Sequence, residues 1–143
     1  MLASRLSILP LMVALAAGCS KSPETRAAEL CQAEMKTWLP NPASAEFLTL
    51  SAISQQEWEA AAADILIGRL NQDGPMGDFF AAQIRNGTRS AADSIRAESG
   101  SFYRYGYRFR SPAGALRSSM AFCLVTEREC ACTSSDKMNV AAR

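Results

Sequence analysis

The segment Ser101-Phe102-Tyr103-Arg104-Tyr105-Gly106-Tyr107-Arg108-Phe109-Arg110 constrains the fold more than any other part of the chain. From Phe102 onward its aromatics fall mainly on odd positions and its arginines on even ones. A period of two is the pattern of a strand with one apolar and one cationic side. Ser111-Pro112-Ala113-Gly114 then reads as a turn, and Ala115 to Thr126 as the returning strand of a hairpin. Pairing Arg110 with Ala115 sets Tyr103 against Phe122, Tyr105 against Met120 and Phe109 against Leu116, which makes one side wholly apolar. The other side carries Arg104, Arg108, Arg110 and Arg117, with Arg108 opposite Arg117. Like charges so opposed are destabilising, so something is expected to neutralise them.

The remainder reads as helices with one further strand. Ala27, Cys31, Met35, Trp38 and Leu39 recur on one face from Thr25 onward, and Pro40-Asn41-Pro42 stops that helix. Phe47 to Ile53 is a short apolar strand. Ser54-Gln55-Gln56-Glu57 has the form of a capping box and opens a helix to about Leu70. Residues 71–77 are a loop by their Asn, Asp, Gly and Pro content. Phe79 to Arg85 predicts a short helix ended by Asn86-Gly87, and Ser90 to Glu98 a polar helix with Gly100 just past its end. The segment from Asp73 to Ser99 has the weakest core signal and is expected to be the most mobile.

The chain has five cysteines and no histidine. Its first eighteen residues have the form of a cleaved export signal peptide: Arg5 is the positive charge, and Leu6 to Ala17 an apolar run too short for a stable span. Removing them leaves fourteen basic and fourteen acidic side chains, because Arg5 is the one charge in that part. This balance gives no electrostatic case for nucleic acid. No second apolar stretch approaches the length of a membrane span.

The box Leu15-Ala16-Ala17-Gly18-Cys19 resembles the end of the export signal of bacterial lipoproteins, differing from the commonest form in that Ala16, not leucine, stands three residues before the cysteine. The resemblance covers the targeting segment alone. It implies that the Cys19 thiol carries a diacylglycerol and its new amino terminus a third acyl chain. Two or more chains make such an anchor stable, at about 0.8 kcal/mol per buried methylene. Ordinary cleavage after Ala16, giving a free secreted protein, is the alternative. Ser20 and Lys21 lack the aspartate associated in that family with retention at the inner membrane, so the outer membrane, on its periplasmic side, is expected. Residues 19–24 form a lipidated tether, whose polar part from Ser20 reaches under about 18 Å when extended.

Setting Cys19 aside leaves Cys31, Cys123, Cys130 and Cys132, an even set that reads as two disulfides in an oxidising compartment. Three connectivities are open. A bridge between Cys130 and Cys132 would be strained, which favours Cys31 bonding into the C-terminal segment. A metal site would need all four thiolates in an oxidising space, and a redox-active pair at Cys130-Ala131-Cys132 is a further alternative.

The arginine face is the most specific chemical feature outside the signal. No acid occurs between Gly100 and Thr126, whereas residues 24–99 hold eleven acids against six bases. Acidic helices packed nearby would offset the hairpin. The sharper reading is an anion-binding surface of Arg104, Arg108, Arg110 and Arg117, facing lipid or lipopolysaccharide phosphates, peptidoglycan carboxylates or an acidic protein. Tyr103, Tyr105 and Tyr107 suit a core better than a sugar-stacking platform. No catalytic residue is assigned and no cofactor or metal is expected. General-base histidine and phosphate-binding loops are missing, Glu57 and Glu59 do not share a helix face, and a Ser20–Lys21–Ser22 set would lie in the tether.

A second resemblance rests on Asn41-Pro42-Ala43-Ser44-Ala45-Glu46-Phe47, between a cysteine-bearing helix and a closing hairpin that ends in Phe122-Cys123. It is similar to small uncharacterised bacterial envelope domains with an "NP-x-S-x-x-F" segment. It implies an α+β fold with Cys31 bonded to Cys123 and residues 55–99 as a helical insertion, and it implies no activity. The sequence thus predicts a single α+β domain over residues 25–143, with helices on a small antiparallel sheet dominated by the C-terminal hairpin and stapled by two disulfides. The expected function is a non-catalytic interaction module: an assembly subunit, inhibitor or immunity-type protein with an envelope protein partner and a membrane contact through Cys19. A binder of an anionic envelope ligand and a thiol redox protein are the alternatives.

Overall fold

A computed structural model describes residues 21–70 and 75–141. The signal segment, the Leu15–Cys19 box and Cys19 lie outside the described residues. The chain runs α1 (Pro23–Lys36), a 3-10 turn at Pro42–Ser44, β1 (Glu46–Ala52), α2 (Gln55–Leu70), α3 (Pro75–Ala97), β2 (Ser101–Arg110), β3 (Leu116–Val125), β4 (Cys130–Thr133) and α4 (Ser135–Ala141). The strands form one antiparallel sheet in the order β1-β2-β3-β4. The expected α+β class, helices packed on an antiparallel sheet with two disulfides, is the architecture found.

Helix α1 covers one face of the sheet. It opens at Pro23, two residues before the periodicity placed it, because Ser22 caps it by accepting from the Thr25 N–H and Pro23 fits the first helical position. Its stripe of Ala27, Cys31, Met35, Trp38 and Leu39 is buried against Tyr103, Tyr105, Tyr107 and Phe109. The tyrosines are therefore core. Gln32 Nε2 donates to Tyr105 Oη at 2.7 Å, and Trp38 meets Tyr107 edge-on at 5.8 Å. Helix α1 thus runs along β2 in the same direction, from Ser101 towards Arg110.

The opposite face is covered by α2 and α3. Trp58, Ala62 and Ala92 pack on Phe102 and Leu124, joined by Ile53, Ile95 and Phe122. The capping box forms as expected: Ser54 N–H donates to Glu57 Oε2 at 2.8 Å and Glu57 N–H to Ser54 Oγ at 3.1 Å. Asn86-Gly87 does not end a helix, since α3 is one 23-residue helix through it. An interior glycine costs about 1 kcal/mol. Burial of Ala81, Thr88 and Ala92 in the helix that packs on α2 offsets this.

The hairpin register differs by one residue from the expected one. Arg110 pairs with Leu116, Tyr103 with Cys123, Tyr105 with Ala121 and Phe109 with Arg117. The loop spans residues 111–115: Ser111 N–H donates to the Ala115 carbonyl at 2.8 Å, Gly114 N–H to the Ser111 carbonyl at 2.8 Å, and Gly114 takes a positive φ of 82°. Ala115 is thereby used in the loop rather than in the ladder. The slip turns Cys123 to the α1 side, where its bridge partner Cys132 stands opposite it on β4.

The two bridges are Cys31–Cys130 and Cys123–Cys132. Cys31 does bond into the C-terminal segment, but to Cys130 and not, as the envelope-domain resemblance implied, to Cys123. Cys130 and Cys132 sit on the same side of β4 and take different partners. Neither β4 nor α4 was foreseen from the sequence. The β3 ladder, the two bridges, the bonds of Tyr107 to Ser134 and Asp136 and the Lys137–Glu34 pair hold this segment to the rest of the fold.

Candidate functional site

Among the described residues, no helix covers one half of the α2–α3 face of the sheet. From Phe102 this face reads Phe102, Arg104, Gly106, Arg108 and Arg110 on β2, opposite Leu124, Phe122, Met120, Ser118 and Leu116 on β3. Helices α2 and α3 cover the Phe102 and Leu124 end. Beyond it Met120 is 41% and Leu116 61% exposed. Between Phe47 and Leu50 strand β1 holds one residue more than its partner, a bulge that re-aims the side chain between them. Leu48, 44% exposed, is thereby laid over Gly106, its Cβ 3.5 Å from where a Gly106 side chain would begin. The product is an aliphatic shelf of Leu48, Met120 and Leu116 bordered by Arg104, Arg108 and Arg110.

The arginines of this shelf are not equivalent. Arg108 Nη2 is held by Glu46 Oε1 at 2.6 Å, a cross-strand pair with β1. Arg110 Nη1 donates to the Gly114 carbonyl at 3.1 Å. Arg104 lies towards Glu57, whose carboxyl sits below the usual carboxylate range: the Ser54 backbone N–H is the main cause, the Ser54 hydroxyl the next, and the Arg104 charge a lesser one. Arg104 and Arg110 make no ion pair with another described residue.

Arg117 does not belong to this surface. The one-residue slip sends it to the α1 side, opposite Phe109, where it borders a groove of about 490 Å³ with Pro40, Pro112 and Asp136. The expected opposition of Arg108 and Arg117 is therefore absent, and Ser118 faces Arg108 instead. Leu116 and Met120, expected in the core against Phe109 and Tyr105, are the exposed members of the shelf. The parity of Cys123 was the signal that could have found them: a cysteine that must bond beneath α1 has to share a side with the tyrosines, which turns residues 116–122 of even number outward.

The shelf lies on the face of the sheet away from α1 and runs from the middle of β2, at Gly106, to its far end, whereas the first described residues stand at the start of β2 on the α1 face. Lys21 and Arg26 border a groove with Ser101 and Tyr103, at the start of β2. Arg110 and Leu116 stand at the far end, about 30 Å of strand away. No helix among the described residues is long and apolar enough to cross a membrane. The chain matches no protein-family model, no curated protein and no solved structure at a significant level.

Proposed function

We propose that the chain is an outer-membrane lipoprotein, anchored through Cys19, whose periplasmic domain is a non-catalytic interaction module. The observation that carries this reading is the bare half of the sheet: three large apolar side chains exposed on one face, Leu48 and Met120 near Gly106 and Leu116 further along β3, interleaved with three arginines. The likeness of Leu15–Cys19 to a lipoprotein signal supports the anchor, and two disulfides suit an oxidising compartment. Because the shelf lies on the face of the sheet opposite to the one that Lys21 borders, a partner protein in the periplasm fits it better than the headgroups of the membrane that holds the anchor. Charge complementarity favours a partner with acidic side chains around an apolar centre.

An anionic envelope ligand is the second reading, favoured by Arg104 and Arg110, which have no carboxylate partner among the described residues. A photo-crosslinking side chain at Met120 in the native envelope separates the two. Adducts with a protein, lost on changing Arg104 and Arg110 to Glu, are expected. Adducts with lipid or glycan alone favour the ligand, and none at all removes the shelf from function. Intact mass of the purified protein tests the anchor independently: triacylated Cys19 is expected, and an unacylated chain beginning at Ala17 overturns it.

A further inference from the structure

The four sulfurs of Cys31, Cys123, Cys130 and Cys132 all lie within 4.8 Å of one another. The Cys130 and Cys132 sulfurs, which belong to different bridges, are 3.4 Å apart. A tetrahedral zinc held by thiolates has metal–sulfur distances of about 2.3 Å, which place its ligands about 3.8 Å from each other. The two bridges therefore form one sulfur cluster of nearly the size of a four-cysteine metal centre. We propose that, once both bridges are reduced, these four cysteines become the thiolate ligands of a tetrahedral site for a soft divalent cation of the zinc class.

The positions of the donors do not depend on the bridges alone. Cys130 and Cys132 share one side of β4, and the strand register sets Cys123 opposite Cys132. Cys31 arrives on α1, which Met35, Trp38 and Leu39 hold against Tyr105 and Tyr107 by burial. Opening a bridge thus leaves its two sulfurs facing each other on packed elements. Cys31 and Cys123 are fully buried, Cys132 nearly so and Cys130 half-buried, and with all four ligands supplied by the protein this describes a structural, closed site. Four thiolates on a divalent cation leave a net charge of minus two. Lys137 stands beside the cluster, its ammonium donating to the Cys132 carbonyl at 3.0 Å and paired with Glu34 Oε1 at 2.6 Å, so it offsets that charge only in part.

The chemistry balances without a hidden reagent. Each bridge is opened by one dithiol, whose own sulfurs are oxidised to a disulfide while two protein thiols form. The cation then displaces the four thiol protons. The same four residues would fasten α1 to the edge of the sheet in either condition, by covalent bonds under oxidising conditions and by a metal under reducing ones. This site stands apart from the shelf and does not rest on the reading of the shelf as an interface.

The test uses the full chain carrying Cys19→Ser, which removes the fifth thiol, reduced with a dithiol, freed of it, and titrated with cobalt(II) in the absence of oxygen. The expected result is saturation at one equivalent, with strong thiolate-to-cobalt charge-transfer bands, the ligand-field spectrum of a tetrahedral four-sulfur centre, and displacement by zinc. Cys31→Ser in addition should weaken binding by more than the ~10–100-fold that loss of an outer-sphere partner costs. Only the weak spectrum of octahedral cobalt, or binding equally strong after Cys31→Ser, overturns the proposal. Should the reduced chain unfold, recovery of its circular dichroism on adding zinc is expected, and failure to recover overturns it as well.

Discussion

The two faces of the sheet are held by different means. The α1 face is covered along β2 from Tyr103 to Phe109, and its edge is fixed by two disulfides that tie α1, β3 and β4 together. The α2–α3 face is covered over half its length, and there by the packing of Trp58, Ala62 and Ala92 on Phe102 and Leu124. Among the described residues, three of the five large exposed hydrophobic ones sit on its bare half, and the other two, Phe79 and Phe80, lie near the start of α3. A chain that can cover and staple one face so fully has the means to cover the other. The difference suits the proposed role of the bare half as a contact surface, while the stapled face sustains the fold.

Breaking the staple should have the largest effect. The Cys31–Cys130 bridge spans 99 residues of sequence, for which the chain-entropy model gives about 4.7 kcal/mol, against about 2.5 kcal/mol for the nine-residue span of Cys123–Cys132. Changing Cys31 and Cys130 together to Ala should lower stability by roughly 4–5 kcal/mol in denaturant melts of the oxidised protein. The matching change of Cys123 and Cys132 should cost about half as much. Equal losses would mean that the long bridge adds nothing beyond local packing, and the contrast between the faces would then be one of burial alone.

The next largest effect lies where the less secured face is joined to the sheet. Helix α3 ends at Ala97; just beyond it Ser99 has a positive φ of 58°, and Gly100 N–H closes the turn onto the Ile95 carbonyl at 2.8 Å. A Cβ on Gly100 would collide with the Ile95 Cγ2 and stand 2.8 Å from the Val125 carbonyl oxygen. Gly100→Ala should destabilise the fold by roughly 2–3 kcal/mol, as overpacking at a backbone contact does. Amide exchange should locate the loosening in α2 and α3, with α1 still protected. Uniform loosening would show that the two faces unfold as one.

The two faces also differ in their response to pH. Burial pushes the Tyr107 phenol up, well above the usual tyrosine range, with the Asp136 carboxylate beside it adding to the effect. Its hydroxyl meets Ser134 Oγ at 2.5 Å and donates to Asp136 Oδ2 at 2.7 Å. A raised native value means that stability is full below the unfolded tyrosine value of about 10 and falls as pH rises beyond it. Tyr107→Phe should cost about 1–2 kcal/mol at neutral pH and remove that alkaline loss, read as a flatter melting temperature above pH 10. On the other face Glu57 works in the opposite sense. Its lowered value stabilises the start of α2 above the ordinary glutamate range, and the contribution is lost as pH falls through the native value.

How much of this was legible in the sequence differs between the two faces too. The α1 stripe and the burial of Tyr103, Tyr105 and Tyr107 follow from period alone, because a helix and a strand each carry their own repeat. The bounds of β2 and the Ser54–Glu57 box were legible for the same local reason. The register of the hairpin was not, since Ser111-Pro112-Ala113-Gly114 fits a loop of four residues as readily as the five observed, and one residue reverses every side chain. That single ambiguity moved Arg117 away from the other arginines and brought Leu116 and Met120 out to solvent. The bulge that exposes Leu48 and the short β4 depend on contacts made across the sheet, which a local pattern does not contain.

The smallest expected effect on stability falls on the bare half itself. Leu116→Ser and Met120→Ser remove apolar side chains that are 61% and 41% exposed, so little buried area is lost, and the pair should change stability by no more than about 0.5 kcal/mol. Replacing Ala121, which follows Met120 on the α1 side and is fully buried, by the same residue should cost several times as much. If the shelf receives a partner, the outer pair should abolish crosslinking from a probe at Leu48 while the melting curve stays in place. Substitutions that reduce both together would make these residues part of the core, and the bare half would cease to be a surface. An effect on neither would leave the arginines as the sole recognisable feature of that face and favour a small anionic ligand over a protein. Residues that the fold does not need, gathered on one face beside three arginines, are for this reason the sharpest probe of function in the molecule.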